Sequence, residues 1–140
     1  MAGEKDLAIL LKTMKPEHQE GDYVFCTLSD LSVLKNDEIF LIFKEKEGIT
    51  VIVKQEIADK HQIPYSFVAA WITLTVHSAL EAVGLTAAFS KALADNGIGC
   101  NVVAAFYHDH IFVAKDDLEK AMAALSNIAT FESYTTDIGY

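Results

Sequence analysis

The chain has 140 residues, of which 51% are hydrophobic, and it carries a formal net charge of -9. This length and apolar content suffice for one compact domain or two small halves, and they argue against a disordered chain. Because the negative charge repels phosphate backbones and anionic lipid surfaces, we expect neither a nucleic-acid partner nor a membrane partner.

The sequence also predicts where the protein resides. No run approaches the ~20 apolar residues of a membrane-spanning helix. The apolar stretch at residues 7–11 is too short for a signal-peptide core, and Glu4 and Asp6 are unlike a basic leader. We therefore expect a cytoplasmic protein in which Cys26 and Cys100, both within apolar runs, are reduced thiols.

The first half of the chain is predicted to be mostly strand. In chain order, we expect a short apolar segment at 7–12, strands at 23–28, 39–43 and 50–53, and a helix at 55–61. Glu20, Gly21 and Asp22 are typical of a turn before the first strand. The charged residues 44–48 end in Gly48 and predict a hairpin between the second and third strands.

The second half repeats the alternation of strands and helices. We expect strands at 67–76, 101–106, 110–113 and 129–134, a helix at 86–96, and a second helix that begins at Asp116. Asp116 and Glu119 have the spacing of a capping box. The predicted core of this half is apolar and follows helical and strand spacing: Leu85, Phe89, Leu93, Val103, Phe112, Leu118, Met122 and Leu125.

This β-α-β-β-α-β order is that of ferredoxin-like folds, and the first half reads as a degenerate version of it. The predicted class is therefore α+β, with two halves at residues 1–64 and 65–140. Each half would have an antiparallel sheet with helices packed on one face.

Several segments of the sequence resemble the two-domain ACT proteins, relatives of the regulatory domains of aspartate kinases. In the second half they are the runs at residues 76–86, 97–102 and 107–113. In the first half they are Met14-Lys15-Pro16, Tyr23-Val24-Phe25 and Glu47-Gly48-Ile49-Thr50. The resemblance covers nearly the whole chain.

The resemblance implies a regulatory protein that binds an amino acid or a similar metabolite between paired ACT units, without a cofactor, and that forms a homo-oligomer. The implied site residues are a loop and helix start, Val83, Gly84, Leu85 and Thr86, and a strand start, Gly99, Cys100, Asn101 and Val102. Gly84 would allow close approach of the backbone to a ligand, and free N–H groups at the helix start would receive a carboxylate. The side-chain oxygen of Asn101 would accept from an ammonium group.

Two other clusters contain residues that could form a catalytic or a metal site. His108 and His110 would share one face of a strand and could ligate a metal, although a polar turn explains them better. His77, Ser78 and Glu81 could act as an acid–base site, although their spacing also fits a tight turn. We therefore expect no bound metal and no enzyme. The alternatives are a ligand-free oligomerisation module and, third, a metal-assisted enzyme that uses His108 and His110.

Overall fold

The computed structural model describes residue 3 and residues 5–76 and 83–137, and it describes the side chains of the last helix as far as residue 128. The helices are α1 (Leu7–Thr13), α2 (Gln55–Lys60), α3 (Leu85–Asp95) and α4 (Leu118–Asp137). The strands are β1 (Pro16–Leu28), β2 (Leu41–Lys44), β3 (Ile49–Lys54), β4 (Val68–Leu74), β5 (Asn101–Ala104) and β6 (Asp109–Ala114). Within the described residues, no helix combines the length and the apolar content needed to cross a membrane.

The chain divides into two compact units. The small unit is Glu20–Ala70, and the large unit combines Met1–Gln19 with Trp71–Tyr140. The strand order is β2-β3-β1 in the small unit and β4-β6-β5 in the large unit. The β1–β3, β2–β3 and β5–β6 pairs are antiparallel. The fold is therefore α+β with antiparallel sheet pairing, as predicted.

The core of the small unit lies on one face of β1 and β3. Val24 and Cys26 of β1 and Val51 and Val53 of β3 are buried together with Ala58 of α2. Because side chains alternate between the two faces of a strand, Tyr23 and Phe25 face the other way. There, Tyr23 meets Phe40 and Phe25 meets Phe67 through ring contacts.

The core of the large unit lies between its strands and a layer of three helices. Ile72 and Leu74 of β4, and Ile111 and Val113 of β6, are fully buried. Phe89 and Leu93 of α3, Leu125 of α4 and Leu10 of α1 are buried to the same degree. Helix α1 packs against both α3 and α4. The N-terminal helix is therefore part of the helical layer of the second half.

The predicted turn at Glu20, Gly21 and Asp22 is wrong, because β1 begins at Pro16 and passes through these residues. Gly21 accommodates the chain there with a φ of +115°. The beginning of β1 and the residue before it are bonded to residues at the end of β4, which are distant in sequence. The Thr75 amide donates to the Lys15 carbonyl at 2.9 Å, and Gln19 Nε2 donates to Thr73 Oγ1 at 3.1 Å.

The predicted last strand at residues 129–134 is also wrong, because these residues belong to α4. The N-terminal segment runs beside the β4 region at this point, through the Lys15–Thr75 and Gln19–Thr73 hydrogen bonds. The large unit therefore obtains its additional strand from the beginning of the chain rather than from its end.

Five of the eight predicted core residues are buried: Leu85, Phe89, Leu93, Phe112 and Leu125. Val103, Leu118 and Met122 are only partly buried, and Ala121 and Ala124 are buried beside Leu125 on α4 instead. Helix α4 begins at Leu118, directly after a 3-10 turn at Lys115–Asp117, so all three predicted residues of its stripe lie in the helix. The buried face is the one that includes Ala121 and Ala124, because α4 packs against both α1 and α3.

The observed buried face of α4 predicts different losses of stability for two side-chain truncations on this helix. Leu125→Ala removes a fully buried side chain, and it should lower the free energy of unfolding by about 2–5 kcal/mol. Met122→Ala, at a partly exposed position, should cost markedly less. Denaturant unfolding of both variants measures this, and equal losses would contradict the stripe.

Candidate functional site

The start of α3 forms the first half of the candidate site. Gly84 is the residue that precedes the helix, with a left-handed φ of +96° and no side chain to cap the helix. Val83 is 81% exposed and Thr86 is also exposed, whereas Leu85 turns inward and is buried. The backbone at this helix start is therefore flanked by exposed residues.

Helix α1 offers an internal comparison, because its N-terminus is capped. The Asp6 carboxylate accepts from the Ala8 and Ile9 amides at 2.9 and 3.3 Å. Among the described residues, no side chain caps α3 at Gly84, and the first turn of the helix holds no acidic residue. The N-terminus of a helix carries partial positive charge. In α1 the Asp6 carboxylate meets this charge, whereas the start of α3 can receive an anion from a ligand.

Gly84 also has a packing role that the sequence did not reveal. A Cβ atom at this position would lie 2.9 Å from Cδ2 of Leu7 in α1. The space that a side chain at position 84 would fill is thus occupied by Leu7 of α1. A glycine is required here by its left-handed backbone and by this contact, whether or not a ligand binds.

The start of β5 forms the second half of the candidate site. Asn101 Nδ2 donates to the carbonyl of Phe112, its pairing partner on β6, at 3.1 Å. This bond engages the amide nitrogen and leaves the side-chain oxygen to act as an acceptor. Burial raises the pKa of the neighbouring Cys100 thiol, and a hydrogen bond with Ser90 opposes that shift. The thiol therefore stays protonated at neutral pH.

The two halves of the candidate site lie at opposite ends of α3. Val83–Thr86 stands at the beginning of the 11-residue helix, and Gly99–Val102 follows its end. At about 1.5 Å per residue, the helix separates them by roughly 16 Å along its axis. One large unit therefore does not bring the two segments together around a small ligand.

His110 lies on β6 and His108 directly precedes that strand, and the centroids of their rings are 6.5 Å apart. Each has a ring nitrogen engaged by the protein: His108 Nδ1 lies 3.1 Å from the Val76 carbonyl, and His110 Nδ1 lies 3.0 Å from Trp71 Nε1. Among the described residues, no three His, Cys, Asp or Glu side chains are grouped to hold a metal. His77, Ser78 and Glu81 lie outside the described residues.

The small unit contains a cavity that sequence reasoning missed. It has a volume of about 310 Å³ and is lined by Gly21, Asp22, Lys54, Gln55, Glu56 and Asp59. The Tyr65 hydroxyl donates to Asp59 at 2.7 Å and accepts from Gln55 at 3.0 Å, which orders one wall. The charged run Lys54-Gln55-Glu56 at the strand-to-helix junction was the available signal for it.

Family comparison gives two adjacent matches, both described as ACT domain, at residues 2–70 and 66–127. No curated protein matches the chain. A Vibrio cholerae protein of unknown function, described as a possible transport protein, is 46% identical in sequence. Its crystal structure aligns with a TM-score of 0.78 over 89% of this chain and 97% of that one.

Two more distant structures share the fold alone. The ligand-free regulatory subunit of aspartate kinase from Thermus thermophilus is 10% identical, with a TM-score of 0.61 over 84% of this chain and 98% of that one. A protein from Agrobacterium tumefaciens is 21% identical, with a TM-score of 0.63 over 83% of this chain and 89% of that one.

Substitutions of three glycines near the candidate site distinguish the stability cost of backbone strain from the stability cost of lost packing space. Gly84 combines a positive φ with the Leu7 contact, Gly97 has a φ of +72° in open space, and Gly99 has neither constraint. Substitution by Ala should therefore lower the free energy of unfolding most at Gly84, by about 1–2 kcal/mol at Gly97, and least at Gly99. Thermal unfolding without ligand measures the series, and equal effects at Gly84 and Gly99 would contradict the assigned packing role.

Proposed function

We propose a ligand-binding regulatory function for this chain, which belongs to the ACT-domain family. ACT domains typically bind small regulatory molecules rather than catalyse reactions. The observation that carries the proposal is the start of α3, where no described side chain caps the N-terminus and where Val83 and Thr86 are exposed. A ligand carboxylate is the chemical group that the amides of a helix start would receive.

The proposed ligand is an amino acid or a similar small zwitterion. Its carboxylate would bind the amides at Val83–Thr86, and its ammonium group would bind the Asn101 side-chain oxygen within Gly99–Val102. The bond from Asn101 Nδ2 to the Phe112 carbonyl supports this assignment, because it uses one of the two N–H donors and none of the acceptor capacity of the side-chain oxygen.

The roughly 16 Å that separate the two segments imply that one site takes its two halves from two ACT units. We propose that a second copy of the chain supplies the other half, so that the ligand and the homo-oligomer stabilise each other. A cytoplasmic location accords with Cys26 and Cys100, which are both free thiols.

Thr86 allows a charge test of the carboxylate half of the site. Thr86 is exposed in the first turn of α3, so Thr86→Glu places a negative charge where the ligand carboxylate would bind. The helix itself tolerates an acidic residue there. A thermal-shift screen of the twenty amino acids identifies a ligand, and Thr86→Glu should then abolish the shift while Thr86→Gln retains most of it.

Asn101 provides the matching test of the ammonium half. Asn101→Ala should weaken binding of the same amino acid by about 1–3 kcal/mol, because the ammonium group loses its partner. Asn96→Ala is the control, since Asn96 also donates its amide nitrogen to a backbone carbonyl, that of Ala92, but stands outside the proposed site. Calorimetric titration measures both variants, and unchanged affinity in Thr86→Glu and Asn101→Ala would place the site elsewhere.

A second candidate function, a ligand-free oligomerisation module, is favoured by the exposed apolar residues of β2. Within the described strands of the small unit, β2 is an edge strand that pairs with β3. Ile42 is 42% exposed and Phe43 is 63% exposed on this strand, and Phe40 precedes it. Edge strands with exposed apolar side chains are ready to pair with another chain.

The assembly function predicts that a charge on β2 weakens self-association. Phe43→Lys should shift the protein toward a smaller species in light scattering at a given concentration. Ile9→Lys is the control, because Ile9 is also an exposed apolar residue but stands on α1. If every amino acid fails to shift the melting temperature and Phe43→Lys dissociates the protein, assembly is the better account. If Phe43→Lys leaves the mass unchanged, β2 is not the contact.

A further inference from the structure

One nitrogen of His110 receives two hydrogen bonds from β4. Trp71 Nε1 and Thr73 Oγ1 each lie 3.0 Å from His110 Nδ1. Gln19 Nε2 donates to the same Thr73 oxygen at 3.1 Å, which leaves the Thr73 proton to point at the imidazole. Because an indole N–H can only donate, Nδ1 must carry no proton. This arrangement therefore requires a neutral His110, with its proton on Nε2.

Trp71 covers the face of the sheet that carries His110. Its ring stacks on that of Phe112, with centroids 5.7 Å apart and an interplanar angle of 26°. Phe112 alternates along β6 with Ile111 and Val113, which are the core residues, so it points to the opposite face. Phe112 is nevertheless only 3% exposed. The indole therefore supplies cover for Phe112 on this face.

Protonation of His110 would affect its two partners differently. A protonated Nδ1 becomes a donor, and the Thr73 hydroxyl can rotate to accept from it. The Trp71 indole has no acceptor and would face a second donor across 3.0 Å. Added acid therefore breaks the Trp71 bond selectively.

Among the described residues, the titratable groups nearest to His110 in sequence are His108 and Asp109. His108, two residues earlier, has its ring centroid 6.5 Å away, and β4 presents the uncharged Trp71 and Thr73. Val103 is the partner on β5, and Gln19 of β1 reaches His110 through Thr73. The carboxyl of Asp109, between the two histidines, points to the other face by strand alternation. Burial first, and then the nearby His108, lower the pKa of His110 below its usual 6.5.

We propose that His110 and Trp71 form an acid-sensitive latch, in which a proton on His110 releases the indole and uncovers Phe112. The latch is independent of the proposed ligand site, since it requires no bound molecule. Because the His110 imidazole is harder to protonate in the folded protein, the closed state of the latch has its full stability above pH 6.5. That stability falls as the pH drops through the lowered pKa of His110.

Trp71 is the only tryptophan of the chain, so its fluorescence reports on the latch directly. We expect the emission maximum to move to longer wavelength, and acrylamide quenching to increase, in a one-proton transition below pH 6.5. Far-UV circular dichroism should stay unchanged across this transition. The emission maximum and the quenching constant are used because intensity alone also responds to contact quenching by a charged imidazole.

Two variants assign the transition to His110. His110→Gln keeps an acceptor oxygen that does not titrate, and it should remove the transition. His108→Gln is the control: it should keep the transition and move its midpoint upward, because a repelling charge is lost. A transition that persists at the same midpoint in His110→Gln would overturn the proposal, as would a wild-type protein whose emission maximum stays constant down to pH 4.5.

A measurement on the unmodified protein covers the case in which His110→Gln does not fold. The indole N–H resonance of Trp71 should shift upfield and its exchange with water should accelerate, with the same midpoint as the His110 ring protons. Different midpoints for the two residues would show that His110 does not control the indole.

Discussion

The packing of α1 against α3 and α4 is the constraint on which the large unit depends. Leu10 of α1 is fully buried there, and Leu7 occupies the space beside Gly84 at the start of α3. A helix near residue 10 thus fixes a backbone turn near residue 84. The chain that follows α1 brings the Lys15 carbonyl to the Thr75 amide. Burial of one apolar helix face therefore sets both the helical layer and the strand beside it.

The sequence was sufficient to predict those elements whose buried residues repeat at regular spacing within the element itself. The apolar stripe of α3 was predicted because Leu85, Phe89 and Leu93 repeat at helical spacing. The start of β1 was not, because Thr75, the residue bonded to Lys15, lies 60 residues away and leaves no local periodicity. At the candidate site, the sequence identified Gly84, but its contact with Leu7 needed the tertiary structure. The role of Asn101 in ligand binding stays a prediction.

The two faces of the large-unit strands carry different chemistry. The face toward the helices is apolar and rigidly packed, with Ile72, Ile111 and Val113 buried. The opposite face carries the hydrogen bonds that link Gln19, Thr73, His110 and Trp71, and the bond from Trp71 requires an unprotonated Nδ1 on His110. The proposed ligand site uses the helix end and strand end at the margin of this sheet. The proposed metabolite binding and the proposed acid response therefore involve separate groups of the chain.

The claim that α1 is an integral part of the large unit is tested most directly by native-state hydrogen exchange. The Leu10 and Met14 amides bond to the Asp6 and Leu10 carbonyls, and we expect them to open with the same free energy as the central amides of α3. Leu10→Ala should lower the opening free energy of both helices together. Rapid exchange of the α1 amides, with α3 still fully protected, would contradict the account.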